Sequence, residues 1–315
     1  DIGRGDVRAI LERSAFYPPL VPCTAALVYR LWPSDVAAAQ AVVLAFLGLG
    51  MGAVYVLGRR VAGGAGGVVA AVLFGSAPFV VFSSLRFQLD LPLASLVALA
   101  LVVLLRAEGF RHPGWSLAAG VVLGLGMLTK PPFAVYVLPA LVLVAARIRA
   151  RRGVINAGLA ALIAAALALP WYGPRLFGIA PDIAARSFRQ AAESGHPDPL
   201  TAAALALYPT WFLPQFGVVA VLLFAIGFLV GVGRRQWLLL ASALAPLALF
   251  MLIQNKNLRY TLPLLPVAAV LAGVGFSALP ERGRTLAGAA LVAVAALQVR
   301  ATAFGVPPVP TVPGL

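Results

Sequence analysis

The sequence predicts an all-α, polytopic bundle of membrane helices, and three observations carry that expectation. The first is composition. Of 315 residues, 62% are hydrophobic and 11% charged, with a mean hydropathy of +0.97, whereas a soluble domain is about 45–50% apolar and about 25% charged. The second is spacing, because apolar runs recur from end to end at close to the roughly 20 residues that take a helix across about 30 Å of hydrocarbon. The third is where the arginines fall. Arg59/Arg60, Arg106/Arg111, Arg147/Arg149/Arg151/Arg152, Arg234/Arg235 and Arg282/Arg284 occupy five short loops that all reach one side if ten helices cross. The positive-inside rule makes that side cytoplasmic.

The elements follow in order. Residues 1–35 read as an outer loop and an interfacial helix, the latter within the apolar run 18–32. Six crossings are expected near 36–57, 61–83, 91–106, 115–129, 132–146 and 154–171, each bounded by charge, proline or glycine. Residues 172–215 form the one long non-spanning stretch, with Trp171, Tyr172, Tyr208 and Trp211 suited to headgroup depth. Four more crossings are expected near 216–232, 236–253, 261–279 and 285–299, followed by an outer tail over 300–315. No internal repeat divides the chain, so 1–315 reads as one integral membrane domain. The chain opens on Asp1 with neither methionine nor signal peptide, and an upstream segment is expected to precede it.

Charge and cysteine content narrow the function. The net charge of +14 fits loop topology and anionic lipid, so the bilayer is the expected partner and nucleic acid is not. Cys23 stands alone and can form no internal disulfide. His112 and His196 are far apart, and no Cys, His or carboxylate cluster has metal spacing. Gly63-Gly64-Ala65-Gly66-Gly67 reads as close helix packing. No nucleophile triad or Walker-type loop is present.

What remains is charge on the outer face, where ionisable groups at membrane depth are costly and mark functional sites. Asp90 opens a helix with Pro92 inside its first turn, which suits either a cap or a reactive carboxylate. The chain has two lysines, Lys130 before Pro131-Pro132 and Lys256 within Gln254-Asn255-Lys256-Asn257-Leu258-Arg259-Tyr260. Both fall on the outer side against the usual bias. Cations beside amide donors at the mouth of an apolar bundle suit a phosphate, and snorkelling to lipid headgroups is the plainer alternative.

Tyr17-Pro18-Pro19-Leu20, Asp90-Leu91-Pro92-Leu93, Gly124 to Lys130, and Lys256 to Pro266 together resemble polyprenyl-phosphate-sugar-dependent glycosyltransferases of the GT-C fold. The resemblance points to the bacterial group of dolichyl-phosphate-mannose protein mannosyltransferases, aminoarabinose transferases and rhizobial lipopolysaccharide glycosyltransferases. It implies that a sugar on a polyprenyl phosphate passes to a hydroxyl acceptor in a glycan, lipid or protein, usually with inversion, on the periplasmic side of a bacterial inner membrane. It further implies Asp90 as a carboxylate of the active site and Lys130, Lys256 and Arg259 as the phosphate cradle. Tyr260, Tyr17 and Arg86 join them as substrate-binding candidates. The family's first-loop acid normally lies further upstream than this chain allows; of Asp1, Asp6 and Glu12, Asp6 is the candidate. A divalent cation shared by carboxylates and a sugar phosphate needs no recognisable motif, so metal dependence stays open. A transporter or flippase of a lipid-linked solute, and an O-antigen ligase or polymerase, are the alternatives.

Overall fold

The computed structural model describes residue 12 and residues 17–32 and 35–305 of the chain. Helix is the only regular structure among them. Nine-residue α1 (Leu20–Val28) reaches only about 13 Å at 1.5 Å per residue, too short to cross. It is tethered where Leu20 N–H donates to the Leu128 carbonyl at 3.0 Å.

α2 (Val36–Ser76) starts on an Asp35 cap, whose Oδ1 accepts from Ala38 N–H. The expected pair of crossings at 36–57 and 61–83 appears within it as a folded-back pair. Gly63 leaves the helix at φ 76°, ψ 179°, a conformation open to glycine and strained for other residues. The limbs then run antiparallel: a Cβ on Gly58 would lie 2.9 Å from Gly67 Cα, and one on Gly75 would meet Met51. The second limb continues past Ala77 as α3 (Pro78–Ser84).

α4 (Asp90–Ala107), α5 (Pro113–Met127), α6 (Phe133–Ala145) and α7 (Arg151–Tyr172) follow. A 3-10 turn at Gly173–Arg175 then leads into α8 (Leu176–Ser187), α9 (Arg189–Glu193) and α10 (Ala202–Phe216). α10 meets α11 (Val218–Gly233) at a 119° bend centred on Gly217, at φ 90°. α12 (Trp237–Leu252), two 3-10 turns over Leu258–Leu264, α13 (Leu265–Ala278) and α14 (Glu281–Ala303) complete the described chain. Each of the ten expected apolar runs is therefore helical, but not all at full crossing length. Among the described residues, five helices, or six with the bent α10–α11 pair, are long and apolar enough to cross a membrane. α5, α6 and α12, at 15, 13 and 16 residues, are shorter, because proline pairs and irregular turns end them early.

α13 forms the centre. The segment Leu258–Ala278 is 89% buried and α4 83%, against 11% for the spans containing α7 and α14. The latter two present their apolar sides outward, as lipid-facing helices do. Small residues let α13 approach its neighbours closely: side chains at Gly227 or Gly275 would run into the carbonyls of Leu271 and Leu223, and one at Gly66 would lie 2.9 Å from the Gly273 carbonyl. The Gly-rich stretch is thus a packing surface.

The loops sort to two ends. At one, Arg60 pairs with Glu108 (3.5 Å), Asn156 donates to the Phe110 carbonyl (2.8 Å), and Ser277 donates to the Ala62 carbonyl (2.7 Å). These bonds gather arginine loops 59–63, 106–112 and 147–153 with the end of α13. At the other end lie residues 17–20, 85–90, 127–132, 172–198 and 253–261, joined by the contacts described next.

Candidate functional site

The Lys130 turn forms because α5 cannot continue through it. Pro131 and Pro132 supply no N–H and disfavour helix in the residue before each. Phe133 N–H donates to the Lys130 carbonyl (3.0 Å) as α6 begins, and the buried Thr129 hydroxyl donates back to Leu125 (3.1 Å). Lys130 is left at the head of the turn. Its Nζ donates to Asp90 Oδ1 at 2.7 Å, the two side chains being 14% and 6% exposed. Asp90 sits at the first position of α4, where the helix dipole favours a carboxylate. The ammonium also lies 5.9 Å from the centroid of the Tyr17 ring.

Facing this turn is the hairpin that joins α12 to α13. Asn257 Oδ1 accepts from Arg259 N–H at 3.0 Å, closing a local turn, and the Thr261 hydroxyl donates to the Leu258 carbonyl (2.7 Å) while its oxygen also touches the Gln215 side-chain amide. Tyr136 OH donates to the Tyr260 carbonyl at 2.8 Å. The Tyr260 ring stacks on Phe250 at 4.5 Å and 15°. Four bonds then dock the hairpin on the segment after α7: Asn255 N–H to the Ser187 carbonyl (2.9 Å), Asn255 Nδ2 to the Arg186 carbonyl (3.3 Å), Gln254 to Asp198 (2.9 Å), and Lys256 N–H to His196 Nδ1 (2.9 Å).

Between turn, hairpin and α8 lies a cavity of about 410 Å³, within the usual size of a small-molecule site. Tyr17, Lys130, Arg259 and Tyr260 all line it, and Val135, Leu249, Phe250 and Ile253 form an apolar wall. Lys130 is neutralised by Asp90. Arg259, half-buried, has no partner for its guanidinium among the described residues, which leaves a cation directed at whatever fills the space.

The other expected site residues lie elsewhere. Lys256 is 6% exposed and outside the cavity lining. Its Nζ donates to the carbonyls of Phe250 (3.0 Å), Met251 (2.8 Å) and Ile253, the unpaired acceptors at the end of α12. It is a helix cap in the place where dipole and carbonyls favour a cation. Burial pulls its pKa below the ordinary lysine value, and the three carbonyls oppose that pull. Arg86 is exposed and stacks on Phe82 at 3.7 Å, away from the cavity lining. Asp90 reaches the cavity only through Lys130, and Asp6 lies outside the described residues. His196 serves as an acceptor for the hairpin. No three His, Cys, Asp or Glu side chains gather into a metal-binding group among the described residues.

Asn255 lines the cavity as one of the amides expected beside Lys256, whereas sequence reasoning missed Asp182 and Arg186 on the cavity wall. The readable signal for Asp182 was a lone acid in the amphipathic stretch after Tyr172, which composition alone does not separate from a solvated face.

An all-helical bundle of apolar helices, with Lys130 and Arg259 on a cavity at one end that is backed by an apolar wall, defines a multi-pass integral membrane protein. The family model of dolichyl-phosphate-mannose-protein mannosyltransferases matches residues 17–176, just over half of the chain, and this chain belongs to that family. Residues 202–306 match the model of the Alg9-like mannosyltransferase family. No curated protein matches the chain. Among solved structures, ArnT from Cupriavidus metallidurans is similar in its apo state (21% identity, TM-score 0.66) and bound to undecaprenyl phosphate (20%, 0.67), in each case over 90% of this chain and 54% of that one. The Archaeoglobus fulgidus oligosaccharyltransferase, tethered with an acceptor peptide, is similar at 15% identity and a TM-score of 0.57, over 92% of this chain and 47% of that one. The shared fold is the GT-C fold, and the chain spans about half the length of these proteins.

Proposed function

We propose that this chain is the membrane part of a glycosyltransferase that moves a sugar from a polyprenyl-phosphate donor to a hydroxyl acceptor. The observation that carries the reading is the meeting of Tyr17, Lys130, Arg259 and Tyr260, from three distant parts of the sequence, on one cavity with an apolar wall. Such a space suits a ligand that is a phosphate at one end and a hydrocarbon at the other.

The chemistry follows from the charges. When the glycosidic bond to phosphate breaks, negative charge grows on the leaving phosphate. A fixed cation stabilises it without reorganising at that moment. Arg259 takes this role with two forked N–H donors suited to phosphate. Lys130 adds a second positive centre, held by Asp90 so that its ammonium cannot swing away. Asp90 is then a positioning carboxylate, and the acceptor's proton passes to a first-loop acid, for which Asp6 is the candidate. With the arginine loops cytoplasmic, the cavity opens on the periplasmic face of a bacterial inner membrane. The transporter alternative is less well supported, since transporters bind near the bilayer midplane between repeats, while this cavity sits at one end of the bundle.

Binding of undecaprenyl phosphate to the purified chain in nanodiscs tests the reading. Arg259→Ala should weaken it by about 10- to 100-fold, the loss expected for a charge-assisted hydrogen bond. Equal affinity in wild type and variant would remove Arg259 from the cradle.

A further inference from the structure

The phosphate reading leaves one cavity group unexplained. Asp182 is the one carboxylate among the described residues that line the cavity. It lies midway along α8, exposed, with no hydrogen bond or ion pair to its carboxylate among the described residues. A free negative charge beside a phosphate cradle opposes phosphate binding at close range. It is useful only toward another part of the ligand, one that donates hydrogen bonds.

We infer that Asp182 is a specificity-determining residue that accepts hydrogen bonds from hydroxyl groups of the sugar being transferred, or of its acceptor, while Arg259 and Lys130 hold the phosphate. This rests on the glycosyltransferase reading of the same cavity. The division of labour follows from the wall. The apolar side chains Val135, Leu249, Phe250 and Ile253 can accommodate hydrocarbon, the cations of the Lys130 turn and the hairpin take the anion, and α8 closes the remaining side with Asp182, Arg186 and Ser187, Asp182 being the acceptor among them that carries charge. A polyol facing α8 would meet a carboxylate that can accept from two hydroxyls at once. The docking of the hairpin on Ser187 and Arg186 through Asn255 sets the distance between the two recognising groups, so donors with differently placed hydroxyls are told apart.

The test compares two probes, undecaprenyl phosphate and undecaprenyl phosphate mannose, on wild type, Asp182→Ala and Asp182→Asn in nanodiscs. Wild type should hold the mannose-bearing lipid more tightly than the bare lipid by roughly tenfold, the scale of a hydrogen bond to a charged group. Asp182→Ala should erase that preference while leaving bare-lipid affinity equal or slightly higher, and Asp182→Asn should keep part of it. Varying the acceptor in a transfer assay separates the two sources: a rise in KM for acceptor alone assigns Asp182 to the acceptor hydroxyl, and a lost donor preference assigns it to the donor sugar. If wild type and Asp182→Ala discriminate equally and share both KM values, the inference falls while the phosphate cradle stands. If wild type binds neither lipid, the cradle falls and the inference with it. Because Asp182 is exposed and unpaired, its variants should melt with the wild type, which a thermal scan verifies.

Discussion

The Lys130 turn and the Lys256 hairpin carry the chain's two lysines, lie at the same end of the bundle and face each other, yet use the same side chain in opposite ways. In the turn, two prolines stop α5 and leave the lysine at the edge of the cavity, paired with a carboxylate from another helix. In the hairpin, the lysine folds back on its own helix end and spends its three donors on carbonyls. The first is positioned over a distance of 40 residues by an ion pair and the second over six residues or fewer by local capping. What separates them is the supply of acceptors. α12 ends on the apolar Ile253, so its orphan carbonyls capture Lys256, while at the end of α5 the carbonyls of Leu125, Gly126, Met127 and Leu128 already accept from Thr129, Tyr172 and Leu20. The cation that the hairpin leaves on the cavity lining is consequently Arg259, whose N–H closes the turn on Asn257.

Lys130→Met gives the largest expected effect. It strands Asp90, 4% exposed, as an uncompensated buried charge, and losing one partner of a buried pair costs about 3–5 kcal/mol. The melting temperature in detergent should fall sharply, and undecaprenyl phosphate binding should weaken with it. Adding Asp90→Asn to Lys130→Met should restore most of the stability but not the binding. A single variant as stable as wild type would show that the pair is not held in the folded protein.

Lys256→Met should be milder and of a different kind. Three carbonyls lose their donor, at a cost of about 1–3 kcal/mol for buried groups left unsatisfied. Lipid-phosphate affinity per folded molecule should change little, because the amine does not reach the cavity. If titration of the folded fraction instead shows a loss as large as that of Arg259→Ala, Lys256 belongs to the cradle and the contrast between the two lysines breaks down.

This contrast also marks how far the sequence is legible. Helix positions could be read because apolar run length and arginine spacing report the same constraint, the thickness of the bilayer. Gly63 was visible as a packing residue but not as the hinge of an antiparallel pair, since glycine allows both and only the neighbouring chain decides. Lys130, Arg259 and Tyr260 were legible as neighbours because the topology sends the Lys130 turn and the hairpin to one end, while Tyr17 joined them only through the family resemblance. Lys256 stood in the same motif, and nothing in its neighbours distinguishes a cation aimed at a ligand from one turned back on a helix end; that depends on where α12 stops. Asp90 was readable as a helix-opening carboxylate, and its partner was not, because ion pairs across 40 residues are properties of packing. Asp182 escaped notice because an acid on an amphipathic interfacial helix is ordinary until the opposite wall is known.

The smallest effect belongs to the far end of the bundle, which serves as a control for both lysines. Glu108 accepts from His112 at 3.4 Å and from Arg60 at 3.5 Å, and these bonds, that of His112 foremost, hold its carboxyl below the ordinary value of 4.5. A carboxylate whose folded pKa is lowered adds stability above the ordinary value and loses it as pH falls through the lowered one. The charges are solvent-exposed, so the contribution is slight. Glu108→Gln should therefore melt marginally below wild type near neutral pH, and the gap should close as the buffer is taken from about pH 6 toward about pH 3. Undecaprenyl phosphate binding should be unchanged throughout, because the pair lies at the end opposite the cavity. A gap that stays constant over that range would mean that Glu108 acts through the left-handed backbone it adopts at the end of α4, at φ 49°, and not through its charge.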